Sequence, residues 1–341
     1  MDVPFLSTVV QPCAARGVRW FPGVALVALI LCVSACEGGQ SALDPAGRDA
    51  GKVALLFWWM AGGTIVIWLI MAWIAWSSLR GAASDLSERK ARLYIIGGGA
   101  VFPTVVLAVL LLFGLGMMPE MVARAPEGSL TVKVTGEQWW WRVKYQLEDG
   151  KEVELANEIR LPVGEPVQFI LDSSDVIHSF WVPPLGGKMD MIPGRTTYLA
   201  LHPERTGVFR GACAEYCGGS HALMAFDVVV MEKQAFEDWL SQQARPALAD
   251  FPAGRELALS NGCGACHTIR GTGADGAIGP DLTHVGSRLS IGAGTLKNVP
   301  GAFRAWLART GKIKPSVHMP HFGMLPADEL DALALYLQSL K

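Results

Sequence analysis

The chain has 341 residues, of which 51% are hydrophobic, and its mean hydropathy is +0.30. This is more apolar sequence than one water-soluble core needs, and it leaves room for two soluble domains together with membrane segments. The formal net charge of -2 gives no indication of a nucleic-acid partner.

The N-terminal sequence is typical of an export signal. Arg16 and Arg19 precede the apolar run "WFPGVALVALILC", and small residues follow it in "VSAC", which ends at Cys36. We therefore predict a signal peptide over residues 1–36. "VSAC" also resembles a bacterial lipobox, which would make Cys36 the lipidated first residue of the mature chain. A plain signal peptide and a retained anchor are the alternatives.

Two uncharged runs follow, over about residues 53–79 and 93–118. Each would form about 40 Å of helix at about 1.5 Å per residue, against about 30 Å of hydrocarbon, so residues 37–122 are predicted to form a transmembrane hairpin. The short connection "RGAASDLSERKAR" is rich in Arg and Lys, which places it in the cytoplasm and both ends of the hairpin outside. The rest of the chain would then lie in an oxidising compartment.

After the second span, the sequence contains short segments in which apolar and polar residues alternate, as in β-strands. "LTVKVTG", "PVQFIL", "TTYLAL", "GVFRGACA" and "AFDVVVME" are separated by turn residues. We predict an antiparallel β-sandwich or barrel over residues 123–232, with no helix of ordinary length between about 125 and 230. A short amphipathic helix and a Pro-containing linker are expected over residues 233–252.

One loop of this domain is crowded with soft ligands. The stretch "CAEYCGGSHALM" contains Cys213, Cys217, His221 and Met224. His178, in "DVIHSFWVPP", can join them from an adjacent strand end. A mononuclear electron-transfer copper site uses one thiolate, whereas two thiolates can bridge two copper ions, with Met224 and the Glu215 carbonyl as weak outer ligands. A structural zinc site, a Cys213–Cys217 disulfide and a core role for Met224 are alternatives.

The last part of the chain contains a haem-attachment motif. "CGACH" supplies two thioether-forming cysteines, Cys263 and Cys266, and a proximal ligand, His267. Residues 253–341 are therefore predicted to be an all-α cytochrome c domain. Candidates for the sixth ligand are His318, Met319, His321 and Met324. "MP" before a final amphipathic helix resembles the class I cytochrome c pattern and favours Met319. His284, in the loop "GPDLTHVG", is interpreted as a structural or surface histidine.

Residues from about 40 to 231 resemble subunit II of the haem–copper cytochrome c oxidases. The resemblance lies in two spans, then "GEQWWWRVKY", "DVIHSFWVPPLGGKMDMIPGR" and the CxExCxxxHxxM loop, in that order. It implies a cupredoxin-type domain with the dinuclear copper centre CuA. The ligands it implies are His178, Cys213, Glu215 through its carbonyl, Cys217, His221 and Met224. It also implies that the Glu215 side chain reaches a magnesium ion at the border with the catalytic subunit, and that electrons enter at Trp139.

The whole chain resembles the caa-type branch, in which subunit II carries its own C-terminal cytochrome c. This multidomain chain is expected to pass electrons from haem c to CuA on the outer face of a bacterial cytoplasmic membrane. Expected partners are the proton-pumping catalytic subunit I, subunit III, and a cytochrome c or cytochrome bc complex as donor. The alternative is an exported copper-binding or assembly lipoprotein with a cytochrome domain. "RLYIIGGGAVFP" lacks the acidic residue that relatives often place there for proton uptake, and Glu88 lies further upstream.

Overall fold

The computed structural model describes residues 38–80, 87–147, 150–247 and 251–341. The predicted signal peptide and Cys36 lie outside these ranges. The described residues from Gly38 onward form one compact unit.

Two long apolar helices begin the described chain. Helix α1 spans Arg48–Arg80 and helix α2 spans Glu88–Met121, with mean hydropathies of 2.1 and 2.4 in their most apolar windows. Of the residues in those windows, only 6% in α1 and 0% in α2 are buried against the rest of the protein. A core helix of a soluble protein would bury its apolar side chains, whereas these helices expose them on all sides, as helices that contact lipid do. Both are long enough to cross a membrane.

Ten strands follow and form two five-stranded sheets. The first sheet has the order β3-β2-β1-β5-β8 and the second has the order β4-β10-β9-β6-β7. The strands are β1 Leu130–Glu137, β2 Trp140–Gln146, β3 Glu152–Ala156, β4 Glu158–Pro162, β5 Val167–Ser173, β6 His178–Trp181, β7 Met189–Met191, β8 Thr197–Leu201, β9 Gly207–Cys213 and β10 Ala225–Met231. We call residues 123–232 the β domain.

The predicted sandwich class is confirmed, and the pairing within it is mixed. Most neighbouring strands are antiparallel, but β1 pairs with β5 and β4 pairs with β10 in parallel. Alternate residues of each strand enter one shared core, as Val132 and Val134 do in β1. Trp141, Phe180 and Phe226 fill its centre, with ring centroids between 4.8 and 5.9 Å apart. This aromatic core lies directly beneath the ends of β6, β9 and β10.

The C-terminal part is mainly helical. Helix α3 (Lys233–Gln243) leaves the β domain, and α4 (Pro252–Ser260), α5 (Ala302–Ile313) and α6 (Ala327–Ser339) surround a second core. Helices α4 and α6 cross closely, since a Cβ on Gly254 would lie 2.4 Å from Tyr336 Cβ. This domain also contains two short antiparallel strand pairs, which the all-α prediction does not include. They are β11–β12 (Thr268–Ile269, Ala274–Asp275) and β13–β14 (Ser290–Ile291, Leu296–Lys297). We call residues 253–341 the helical domain.

Candidate copper centre and haem site

The predicted copper ligands lie at one end of the β domain. Strand β9 ends at Cys213 and β10 begins at Ala225, so residues 213–224, the copper loop, connect two paired neighbours. The Cys213 N–H donates to the Met224 carbonyl at 3.0 Å and closes the base of this loop. His178 is the first residue of β6, and β6 pairs with β9 so that Phe180 lies opposite Cys213. Pairing of these strands therefore brings the histidine to the loop.

The donor atoms fall into two groups around the two sulfurs, which lie 3.8 Å apart. Cys213 Sγ lies 3.8 Å from His178 Nδ1 and 3.2 Å from the Glu215 carbonyl oxygen. Cys217 Sγ lies 3.5 Å from His221 Nδ1 and 3.7 Å from Met224 Sδ. Each sulfur thus has one imidazole and one weaker donor beside it.

This division argues against a formed disulfide and against a single tetrahedral ion. A disulfide needs an S–S distance of about 2.0 Å, well short of the observed separation. The ligand atoms of His178, Cys213 and Cys217 lie within 4.8 Å of one another, and among the described residues His221 falls outside that group. A Cys2His2 zinc site needs both histidines on the same ion. Two soft ions sharing two thiolates match this donor set better.

The two cysteines are buried, and their pKa values are shifted in opposite directions. Their hydrogen bond is the largest cause of a lowered pKa for Cys213 and of a raised pKa for Cys217. Burial alone would lower the pKa of His178, but hydrogen bonds with Cys213 and Asp175 outweigh burial and raise it. Soft metal ions bind the deprotonated forms, so metal binding would displace these protons.

Asp175 orients His178, and the sequence reasoning did not identify it. The His178 ring nitrogen Nε2 lies 2.8 Å from Asp175 Oδ1. The other carboxylate oxygen, Oδ2, accepts the Gln138 N–H at 2.7 Å. With Nε2–H donating to the carboxylate, Nδ1 is the ring nitrogen that faces Cys213, and it would bind copper once the ring is neutral. The carboxylate three residues before His178 was the available signal.

Trp139 is tied to the copper loop from the opposite side. Its indole N–H donates to the Cys217 carbonyl at 3.0 Å, and Gln138 Nε2 donates to the same oxygen at 2.7 Å. Only 6% of Trp139 is exposed, which argues against a place in an interfacial aromatic belt. Because a backbone carbonyl is its only partner on the loop, the contact was not predictable from residue type.

The Glu215 side chain points away from the sulfurs. Its carboxylate accepts a hydrogen bond from Lys188 Nζ at 2.7 Å, and Lys188 also binds Asp190 at 2.7 Å. The backbone and side chain of Glu215 are therefore separated in role: the carbonyl faces Cys213, and the carboxylate lies at the protein surface. A magnesium ion at this carboxylate stays a prediction.

The haem-attachment motif lies at the end of α4. Cys263 begins a 3-10 turn, and Cys263 and Cys266 are free, half-buried thiols. The His267 Nδ1–H donates to the Pro280 carbonyl at 2.7 Å, which leaves Nε2 free for an iron ion. A Cβ on Gly279 would lie 2.6 Å from His267 Cε1, so only glycine lets the chain approach this ring. Burial lowers the pKa of His267 and keeps it neutral, as a ligand must be.

The candidate sixth ligands differ in their surroundings. Met319 is half-buried and packs against the core of the helical domain, whereas Met324 is 69% exposed. His318 and His321 are also exposed. His284 is buried, and its Nε2 lies 2.9 Å from the Arg245 carbonyl, as the structural interpretation predicts. The assignment of Met319 to iron stays a prediction that these environments favour.

The helical domain lies directly against the copper loop. Residues 314–318 ("KPSVH") cross the loop, where the Ser220 hydroxyl donates to the Pro315 carbonyl and Val317 packs against the core of the β domain. The His318 ring lies 6.3 Å from the Trp139 ring, measured between centroids. The turn of the β13–β14 ladder adds a bond from the Ala225 N–H to the Ala293 carbonyl at 3.1 Å. Docking of the tethered domain on the copper loop or the Trp139 surface is expected from the sequence, but the residues that form the interface are not.

Two protein families match the chain. The family described as "Cytochrome C oxidase subunit II, periplasmic domain" matches residues 146–232, and the family described as "Cytochrome c" matches residues 251–341. The first of these families implies the copper centre CuA and the second implies haem c.

Relatives of the chain agree with these matches. Cytochrome c oxidase subunit 2 of Alkalihalophilus pseudofirmus is 34% identical over 334 residues, which cover 92% of this chain and 95% of that protein. The same subunit of Bacillus sp. (strain PS3) is 33% identical over 63% of each chain. The crystal structure of the periplasmic domain of subunit II of cytochrome oxidase of Bradyrhizobium japonicum is 34% identical, covering 36% of this chain and 97% of that one, with a TM-score of 0.33. The chain therefore belongs to the cytochrome c oxidase subunit 2 family and is a subunit of a haem–copper oxidase.

Proposed function

We propose that this chain is the electron-transfer subunit of an aa-type terminal oxidase, in which electrons pass from haem c to dinuclear CuA and on to the catalytic subunit. When bound, the two copper ions and the haem supply one-electron redox chemistry. His178, Cys213, Glu215 through its carbonyl, Cys217, His221 and Met224 would hold the copper ions. Cys263 and Cys266 would attach the haem, with His267 and Met319 on its iron.

The observation that carries this proposal is the grouping of the copper donors into two equivalent sets. Each set has one histidine nitrogen within 3.8 Å of a sulfur, and the sulfurs are close enough to be shared. Strand pairing fixes His178, Cys213 and the two ends of the copper loop, so we expect the donors to move little when the charge of the site changes. A small rearrangement is what rapid electron transfer requires.

The contacts between the domains support a direct route. Met319 follows His318, whose ring lies beside Trp139, and the Trp139 indole is hydrogen-bonded to the backbone of Cys217. Bonded atoms and short contacts therefore connect the predicted iron ligand with a predicted copper ligand. This arrangement supports a role for Trp139 at the point where electrons reach the copper loop.

The remaining parts of the proposal concern the surroundings of the chain. Helices α1 and α2 would cross a bacterial cytoplasmic membrane, and the two domains would lie on its outer face. Subunit I would take electrons from the copper loop, with subunit III in the same complex and a cytochrome c or cytochrome bc complex as donor. Glu215 would bind magnesium at the border with subunit I, exchanging its partner Lys188 for the ion.

Spectroscopy and rapid kinetics test the two halves of the proposal. An electron shared by two copper nuclei gives a seven-line hyperfine pattern, against four lines for a single copper. With the native donor in stopped flow, we expect the haem to be reduced first, and the copper centre to follow at a rate independent of protein concentration. A four-line spectrum, or copper reduced ahead of haem, would contradict the proposal.

A further inference from the structure

Lys314 is a buried lysine at the interface between the two domains. It follows α5, and only 2% of its surface is exposed. Its ammonium donates to the carbonyls of Trp139 at 2.7 Å, Leu223 at 2.9 Å and Gly292 at 2.8 Å. Since an ammonium has three N–H donors, its hydrogen bonds are complete. Two of the acceptors belong to the β domain and one to the helical domain.

This arrangement is unusual because no carboxylate within the described ranges forms an ion pair with the ammonium. Lysine is almost never fully buried unless it is paired, because burying its charge is costly. Burial lowers the pKa of Lys314 to about 7, and the charge of Cys217 offsets only part of that effect. The helical domain does not need Lys314 in order to fold by itself, because two of the three carbonyls that Lys314 binds lie in the β domain. The compensation for its burial exists only while the domains are in contact.

The carbonyls that Lys314 binds lie beside the groups that connect the two cofactor sites. Trp139 donates to the backbone of Cys217, and Leu223 immediately precedes Met224. On its own side, Lys314 precedes the segment that brings His318 to Trp139. One side chain therefore holds both partners of the closest aromatic contact between the domains.

Three further contacts across the interface are also short-range. Arg210 Nη1 donates to the Gly294 carbonyl at 3.3 Å, Arg142 Nη2 donates to the Ala277 carbonyl at 2.8 Å, and Glu158 Oε2 accepts the Leu289 N–H at 2.7 Å. In each of these a charged side chain meets an uncharged backbone group. Such contacts depend on precise placement and are weakly screened by salt, unlike the opposed charged surfaces of transient complexes.

We propose that Lys314 is a positioning residue that holds the helical domain on the copper loop, so that haem c and CuA stay in one fixed geometry. The proposal rests on the proposed function, which supplies the two cofactors. It adds that the donor domain is held in place by one buried ammonium shared among three backbone carbonyls. Electron transfer between the sites is then expected to be nearly independent of ionic strength.

The test uses Lys314→Met in the assembled oxidase, with Lys312→Met as the matched control. Lys312 is exposed and lies close to Lys314 in the chain. Methionine leaves the Trp139 carbonyl without its donor and removes the ammonium from the Leu223 and Gly292 carbonyls, which Thr295 Oγ1 approaches at 3.5 and 2.6 Å. The equilibrium constant for docking should therefore fall by about tenfold or more. Oxidised haem accelerates the electron-spin relaxation of copper nearby, and a slowly relaxing copper population should appear in Lys314→Met only. The rate of copper reduction by haem should fall with it and become dependent on salt.

Lys314→Gln keeps two N–H donors on a shorter side chain and should give an intermediate loss. Copper hyperfine structure and the haem spectrum should be unchanged in every variant, since Lys314 contacts no predicted ligand. Unaltered relaxation and rate in Lys314→Met would overturn the proposal, as would loss of either cofactor in Lys314→Gln. Neither result bears on the order of haem and copper reduction in the unaltered chain, which tests the proposed function separately.

Discussion

The β domain and the helical domain prepare their cofactor sites in different ways. In the β domain, His178, Cys213, Cys217 and Met224 are each at most 7% exposed, and paired strands bring their donor atoms together. In the helical domain, Cys263, Cys266, His267 and Met319 are all half-buried and lie on turns and loops. Cys213, Cys217 and Met224 belong to the hydrophobic core of the β domain, whereas Cys263 and Met319 only pack against the margin of the second core. We therefore expect metal loss to spare the fold of the β domain and haem loss to disrupt the helical domain.

The largest effect is expected at the shared sulfurs. Cys217→Ser leaves one thiolate, which cannot bridge two ions, so the seven-line spectrum should disappear completely. The β domain should stay folded, because the side chain is nearly isosteric and the aromatic core beneath it is unchanged. Circular dichroism and electron paramagnetic resonance on the same sample measure the two outcomes.

Met224→Leu is the matched control for Cys217→Ser. It removes a weak donor of similar size, so some copper should remain bound with an altered spectrum and potential. Equal loss of copper from Met224→Leu and Cys217→Ser would contradict the distinction between bridging and outer ligands.

Removing the helical domain should have the next largest effect. Deletion of residues 246–341 should leave the copper centre reducible by small-molecule donors, because all its predicted ligands lie in the β domain. Oxygen consumption with the native donor should fall steeply, since the linker keeps the tethered haem at an effective concentration on the order of millimolar. Activity that survives the deletion without an excess of soluble cytochrome c would assign the helical domain a role in stability alone.

An effect confined to one cofactor is expected from Met319→Ala. The haem should remain attached through Cys263 and Cys266, but its iron should become high-spin or be captured by a neighbouring histidine. The sulfur-to-iron charge-transfer band of the oxidised protein measures this change, and the copper spectrum should not alter. Met324→Ala is the control, because that side chain is 69% exposed. A band lost from Met324→Ala and kept in Met319→Ala would reverse the assignment.

The parts of the structure that sequence predicted are those encoded in short segments. Val132 and Val134 alternate with polar neighbours, which indicated a strand with one buried face, and both are fully buried. The copper loop was predictable because its ligands lie within one stretch, and its ends are fixed by adjacent strands. The uninterrupted apolar runs similarly predicted helices α1 and α2.

The parts that were not predicted depend on partners distant in the chain. The parallel pairing of β1 with β5 depends on how two sheets pack, which local periodicity does not encode. Lys314 has the sequence surroundings of a surface lysine, and its three partners are backbone carbonyls with no residue-type signal. Asp175 was visible as an acidic neighbour of His178, but its second contact, with the Gln138 N–H, depends on the ends of two strands meeting.

The smallest effect is expected from Asp175→Asn, which tests how far the β domain prepares its site in advance. An asparagine can turn its carbonyl toward the His178 ring or toward the Gln138 N–H, but the amide group then faces the other donor. One of the two hydrogen bonds is therefore lost, and the remaining bond to the ring is no longer charge-assisted. We expect copper affinity to weaken by about tenfold, in the range usual for groups that orient a metal-bound histidine. The dinuclear spectrum should keep its seven lines, with a changed contribution from the His178 nitrogen.

Asp172→Asn is the control, because its carboxylate pairs with Lys133 at 3.3 Å on the surface of the same sheet. Competition with a copper chelator measures the affinity, and equal values for the two variants would mean that strand pairing alone holds His178 in place.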